Sequence, residues 1–165
     1  MTGAGWSALA TFTLEVMNIT TNAKKPFTKS VKHTMPKISF HGVIPTRATK
    51  YSAGYDLRSP GDITIPAGAT VGVDTGTYVS MPVDLCALVC SRSGLALRGL
   101  AVDNAPGIID ADYSDTIKVL LHNRAQCDWV IEAGDRIAQL VFTPFVVGDD
   151  VPVSERTGGL GSTGV

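Results

Sequence analysis

"DTIKVLLHNRAQCDWVIEAGDRIAQLVFTPF", Asp115 to Phe145, is a series of short apolar or alternating runs cut by Asn, Asp, Gly and Pro. "DITIPAGATVGVDTGTYVSMP", Asp62 to Pro82, repeats the pattern. Val, Ile, Thr and Tyr dominate these runs, which suits strands, and each run ends too soon for the 3.6-residue period of a sustained helix. The spacing therefore predicts an all-β domain over residues 37–153. Many short strands of this kind close most economically as a sandwich, jelly roll or barrel. One short helix is expected inside it, in "SGLALRGL" from Ser93 to Leu100, with Ser93 as its cap and Gly99 as its stop.

Composition narrows the class. A chain of 165 residues with 44% hydrophobic side chains can bury a single proper core. Its 14 basic and 15 acidic residues leave a net charge of -1, which argues against nucleic-acid binding driven by counterion release. An anionic ligand would have to be met by local groups. Cys86, Cys90 and Cys127 form neither a paired CxxC nor an even set, so they are read as reduced core residues. No apolar run approaches the roughly 20 residues of a membrane span, and the start lacks a secretory signal. A soluble protein of the cytoplasm or nucleus is expected, with no membrane partner.

Two ends differ from the middle. Residues 1–36 carry Lys24, Lys25, Lys29 and Lys32 against a single acidic residue, Glu15, and are read as a flexible arm in which Trp6 to Met17 could form a short amphipathic helix. An organelle-targeting leader is the alternative, weakened because no Arg precedes Arg47. Residues 154–165 form a Gly-rich tail, "RTGGLGSTGV" from Arg156, with little to bury and a high entropic cost of ordering.

Five stretches mix Asp, Arg, Ser or Gln with Gly or an apolar flank, as expected where backbone approaches a polar ligand. They are "AGYDLRS" (Ala53 to Ser59), "RSGLA" (Arg92 to Ala96), "GIIDADY" (Gly107 to Tyr113), "GDRIAQL" (Gly134 to Leu140) and the tail. In this order they resemble the five motifs of the trimeric dUTP diphosphatases (dUTPases), from about Ile44 to Val165. Each motif alone is weak; five in register are specific.

The resemblance implies a jelly-roll-like fold and hydrolysis of dUTP to dUMP and pyrophosphate by water attack on the α-phosphate, which limits uracil incorporation into DNA and supplies dUMP. Such chemistry asks for an activated water, donors to phosphate oxygens and a divalent metal, here Mg²⁺. Asp110 matches the family's general base in Gly-x-Ile-Asp-x-x-Tyr. Following two isoleucines of buried type, it should sit at a strand end, partly shielded. The alternative is an ordinary turn aspartate. Tyr113 is implied beneath the deoxyribose, where it excludes a 2'-hydroxyl, or else it is a core tyrosine.

"VDNAPG", Val102 to Gly107, is rich in turn residues and should make a tight hairpin end. By resemblance it reads uracil through main-chain groups of the segment reaching to Ile109, with Asn104 at a base-contacting position. Cytosine would leave buried groups there unpaired. Arg92, Ser93, Gly94 and the first amides of the helix form an anion site, unless Arg92 is only a surface ion-pair partner. Arg136 and Gln139 lie near the phosphates in the family. As a bare strand they could equally be solvated, Arg136 more so than Gln139. Asp56 is implied to support the phosphate-binding arginine and the hydrated magnesium without ligating the metal, which is held chiefly through substrate oxygens. The tail would close over the triphosphate with Arg156, Gly161, Ser162 and Thr163, at subunit interfaces of a homotrimer.

The chain departs from the family in places. Only Thr157 separates Arg156 from Gly158-Gly159-Leu160, where the family has two residues, and Leu160 replaces the aromatic that stacks on uracil. Ser114-Asp115-Thr116 follows Tyr113 in place of Arg-Gly-Glu, and Ser91 stands where proline is common. Two rival functions share parts of this pattern. A dCTP deaminase of the same fold needs a carboxylate near the base, and the segment around Asn104 has no Glu. A catalytically silent nucleotide-binding or regulatory homologue is the other, opposed by retention of Asp110, Tyr113, Arg92, Gln139 and Arg156. His33, His41 and His122 lie outside all five stretches, so a serine or cysteine hydrolase lacks a base.

Overall fold

The computed structural model describes residues 37–148 together with Arg156 and Gly158. Alternation is the organising rule. In the strand Lys118–Asn123 every second residue, Val119, Leu121 and Asn123, is buried, and in Thr77–Ser80 the buried residues are Thr77 and Val79. Successive side chains of a strand point to opposite faces, so such a pattern buries one face only.

Among the described residues eleven strands and one helix result, in the order β1 (Ser39–Gly42), β2 (Tyr55–Arg58), β3 (Ile63–Ile65), β4 (Thr70–Asp74), β5 (Thr77–Ser80), β6 (Leu85–Cys90), α1 (Ser93–Ala96), β7 (Leu100–Val102), β8 (Gly107–Ile109), β9 (Lys118–Asn123), β10 (Trp129–Ile131) and β11 (Arg136–Pro144). They pair into a four-stranded sheet β2-β11-β6-β8, a three-stranded sheet β4-β9-β7, and the two-stranded ribbons β1-β5 and β10-β3. All the pairings are antiparallel. One core joins them: Leu57, Ile65, Val73, Val79, Val89, Val102, Ile109, Leu121, Ile131 and Leu140 come from ten different strands and form one buried cluster. Each such side chain contributes about 1.5–3 kcal/mol on burial. The all-β expectation with one short helix holds.

Several local expectations change. Helix α1 ends at Ala96, well before Leu100. Its N-cap is Arg92, in extended conformation and with no side-chain cap bond, so Ser93 is the first helical residue and not the cap. Gly99 does stop the segment, at φ 98. Ile108 is 63% exposed because successive residues of β8 face opposite ways, and it is Ile109 that takes the core side. Val102 to Gly107 is not a ladder-closed hairpin: β7 pairs with β9 and β8 with β6, so the turn carries the chain from one sheet to another. Cys86 is buried, but Cys127 is exposed in the β9–β10 connection and is no core residue. Burial pushes the Cys90 thiol up.

Polar groups inside the fold are satisfied. Buried Asn123 donates to the carbonyls of Ile65 and Cys127, each at 2.9 Å, and accepts from Ala125 N–H at 3.0 Å, fixing the end of β9 to β3. Asp74 accepts from the Thr116 hydroxyl at 2.7 Å and the Gly76 amide at 2.9 Å, and the Thr116 bond does most to hold its carboxyl below the usual aspartate range. A depressed folded-state value stabilises the fold above the unfolded pKa of about 4, and the gain disappears as pH falls through the folded value. The stability difference between the native chain and Asp74→Asn is therefore expected to be full at about pH 6 and to shrink steadily as pH falls below the unfolded value of about 4, as read by urea unfolding across that range.

Candidate active site

Strand β11 is the spine of the first group. It pairs with β2 and β6, placing Gln139 opposite both Asp56 and Cys90, and its register with β2 shifts between Arg136 and Ala138. An irregularity of this kind re-aims a side chain. Here Arg136 Nη1 lies 3.3 Å from Asp56 Oδ2, and Arg92 Nε lies 3.3 Å from Asp56 Oδ1. Arg92 also donates to the Arg136 carbonyl at 2.8 Å. The Asp56 side chain is only 11% exposed, so its charge is offset by two guanidinium groups that it in turn orients. Arg136, read as the more solvated of the β11 pair, is indeed the more exposed of the two, with its side chain 43% exposed, and it still takes part in this clamp.

Gln139 donates from Nε2 to the Ser91 carbonyl at 3.1 Å, and the Ser91 hydroxyl accepts from Val102 N–H at 2.9 Å. Ser91, where proline is common in the family, thus ties the residue before Arg92 to the end of β7. Gly54 makes room for this arrangement: a Cβ there would meet Gln139 Cβ at 3.1 Å and its amide oxygen closer still. At α1 the first intrahelical bonds run from Leu95 and Ala96 N–H to the Arg92 carbonyl. The amides of Ser93 and Gly94 precede them, at the end where orphan N–H groups collect.

The second group surrounds the end of β8. Asp110 follows Ile109 directly and is half exposed, and Arg156 bonds its carboxylate through Nη2. Arg156 also donates from Nε to Asp112 at 2.9 Å and from Nη1 to the Gly158 carbonyl at 3.2 Å, and its guanidinium lies 5.7 Å from the Tyr113 ring centroid. Asp112 first, then Asp110, raises the proton affinity of Arg156 above the ordinary arginine value. Tyr113 donates its hydroxyl to the Thr116 carbonyl at 3.1 Å, and burial pushes its phenol up. Asp112 is therefore part of this group through Arg156.

A third, smaller group is the turn. The Asn104 side chain lies against the Gly107 backbone, with Nδ2 3.1 Å from where a Cβ would stand. Ile109 points into the core and offers the site only its main chain. Leu160, Gly161, Ser162 and Thr163 lie outside the described residues, as does the arm over residues 1–36.

The first two groups open onto different clefts. Arg92 and Arg136 line a cleft of about 380 Å³ beside Leu95 and Trp129. Asp110, Asp112 and Arg156 line another of about 390 Å³ beside Val83 and Phe145. The two share no lining residue. Among the described residues no three His, Cys, Asp or Glu side chains gather as metal ligands, and no helix is long and apolar enough to cross a membrane.

An antiparallel β-fold with arginines converging on one carboxylate, and an exposed strand-end aspartate that meets another arginine, concentrates charge suited to a polar ligand. The dUTPase family model matches residues 41–164, and this chain belongs to the dUTPase family. Deoxyuridine 5'-triphosphate nucleotidohydrolase of Rickettsia akari (strain Hartford) is 41% identical over 136 residues, covering 77% of this chain and 92% of that protein. The Arabidopsis thaliana protein of the same name is 40% identical over 135 residues, covering 78% and 81%. The crystal structure of dUTPase from Streptococcus mutans superposes with a TM-score of 0.63 at 33% identity, over 67% of this chain and 98% of that one.

Proposed function

We propose that this protein is a dUTP diphosphatase, hydrolysing dUTP to dUMP and pyrophosphate. The observation that carries the reading is that the matched residues, 41–164, run through all five ligand-type stretches, four of them complete and the tail to its penultimate residue. In this reading Asp110 accepts the proton of the water that attacks the α-phosphate, and it has the exposure to meet that water. Arg92, Gln139 and Arg136 receive phosphate oxygens, with Asp56 holding both arginines in place. The Ser93 and Gly94 amides add donors that need no reorganisation. Tyr113 packs beneath the deoxyribose, and the Val102 to Gly107 turn reads uracil with main-chain groups and Asn104. The tail, from Arg156 through Leu160, Gly161 and Ser162, closes over the triphosphate and excludes water.

The separation of the two clefts supports active sites completed between copies of the chain; that the assembly is a homotrimer rests on the family resemblance. Arg92 and Asp110 open on different clefts of one chain, so a site using both is best completed between copies. Mg²⁺, when bound with the triphosphate, neutralises phosphate charge. In that role the ion would be held chiefly by substrate oxygens and water. Asp56 is the carboxylate suited to accept hydrogen bonds from that water.

The reading is tested by incubating the protein with Mg²⁺ and each of dUTP, dTTP, dCTP and UTP, and assaying monophosphate and pyrophosphate. Turnover of dUTP with little of the others is expected. Equal turnover of all four, or release of orthophosphate, removes the reading. Absence of any turnover together with tight dUTP binding would favour the silent homologue.

A further inference from the structure

The turn assigned to the base is anchored by residues that belong to none of the five stretches. Asp103, the first residue past β7, is tied twice: its amide donates to the Leu120 carbonyl at 2.8 Å, and its carboxylate accepts from the Thr70 hydroxyl at 3.1 Å. Thr70 Oγ1 also lies 2.9 Å from His122 Nδ1. Register makes the contact: Thr70 on β4 and Ala101 on β7 both stand opposite His122 on the central strand β9.

Proton counting gives this chain a direction. An ionised aspartate only accepts, and a threonine hydroxyl has a single proton to give. If Thr70 donates to Asp103, the remaining contact requires His122 to donate from Nδ1. Asn104 follows Asp103 immediately and lies against Gly107, so the placement of Asp103 fixes where Asn104 and the turn amides point.

We propose that Asp103, held by Thr70 and His122, is a positioning residue that sets the Val102 to Gly107 turn for recognition of uracil. The proposal rests on the reading of that turn as the base site. Main-chain recognition tolerates little displacement, since small misplacements of a bound group weaken it disproportionately, and the Thr70 bond is the side-chain tie between the turn and the β4-β9-β7 sheet. Losing one such bond is worth roughly a three- to tenfold change.

Thr70→Val removes the hydroxyl at nearly constant volume. It is expected to raise KM for dUTP by about three- to tenfold, to narrow the preference for dUTP over dCTP, and to leave kcat near its original value. Thr70→Ser should restore both KM and preference, and Asp103→Ala should reproduce the Thr70→Val effect. By nitrogen NMR, neutral His122 in the native chain should carry its proton on Nδ1, a preference lost in Thr70→Val. Asn104→Ala separates the two levels of argument. If Asn104→Ala raises KM while Thr70→Val and Asp103→Ala do not, the anchor is overturned and the base site stands. If Asn104→Ala leaves KM and base preference unchanged, the base-site reading fails and the anchor with it. An unchanged KM with a lowered unfolding temperature in Thr70→Val shows a purely structural tie and overturns the proposal, as does an Nε2-protonated His122.

Discussion

Asp110→Asn is expected to lower dUTP turnover by about 10²-fold or more, the usual loss when a general base is removed, with affinity for a non-hydrolysable dUTP analogue staying near its native value. Asparagine keeps the size and hydrogen-bonding reach of the side chain but cannot take a proton. The residue lies just past β8, with Ile109 locked in the core behind it, so its backbone will hold position in the variant. Its neighbour provides the control. Asp112 shares Arg156 with Asp110, yet in the assigned mechanism it touches neither water nor phosphate. Asp112→Asn should therefore cost far less turnover than Asp110→Asn. Single-turnover measurements on both variants, alongside analogue binding, separate chemistry from affinity. If Asp112→Asn is the silencing change, the base has been assigned to the wrong aspartate.

What sequence could show of this molecule follows from the range over which each signal acts. Alternation is local, and it located the all-β domain because β5 and β9 each carry their own inward and outward faces. Which of two adjacent apolar residues faces inward is not local. Ile108 reads as a core residue next to Ile109, but only one of two successive strand residues can face the core, and the packing of β8 turns Ile109 inward. The same holds for Val102 to Gly107, whose turn residues signal a reversal without saying that β7 and β8 join different sheets. Ser93 has the chemistry of a cap, but helix α1 is a single turn and begins one residue earlier than that role needs.

Within the site, residue types were visible and their partners were not. Asp56 is separated from Arg92 and Arg136 by whole strands, and only the pairing of β11 with both β2 and β6 brings them together. Ser91 and Thr70 have no motif at all; they matter through a hydroxyl that meets a neighbouring strand or turn. A sequence signal for Thr70 does exist in principle. Thr and His facing each other on paired strands, with Asp just past the end of a third, can form a relay, but recognising it needs the β4-β9-β7 register.

Truncation after Ser154 is expected to lower turnover by about 10²- to 10³-fold, the cost of losing one preorganised donor to a transition state, while leaving the unfolding temperature of the core almost unchanged. The stability side follows from what Arg156 touches. Its partners Asp110 and Asp112 are exposed carboxylates, and pairs of that kind contribute about 0–1 kcal/mol. The catalytic side follows from charge. Without substrate the guanidinium sits on two carboxylates; a triphosphate offers it a denser anion, so Arg156 should transfer to phosphate and free Asp110 to act as base. Truncation frees Asp110 as well, but it removes the positive charge and the closing amides from the transition state. Binding should accordingly weaken less than turnover. Raising the salt concentration should loosen the Arg156 contact with the aspartates in the substrate-free protein, because exposed ion pairs are screened. Arg156→Lys isolates the guanidinium within the intact tail: a lysine keeps the charge but cannot bridge both aspartates or bind phosphate with the same fork. Turnover between that of the native and truncated proteins is expected. If truncation leaves turnover intact, Arg156 is a surface tether of Asp112 and the glycines after it have no part in closure.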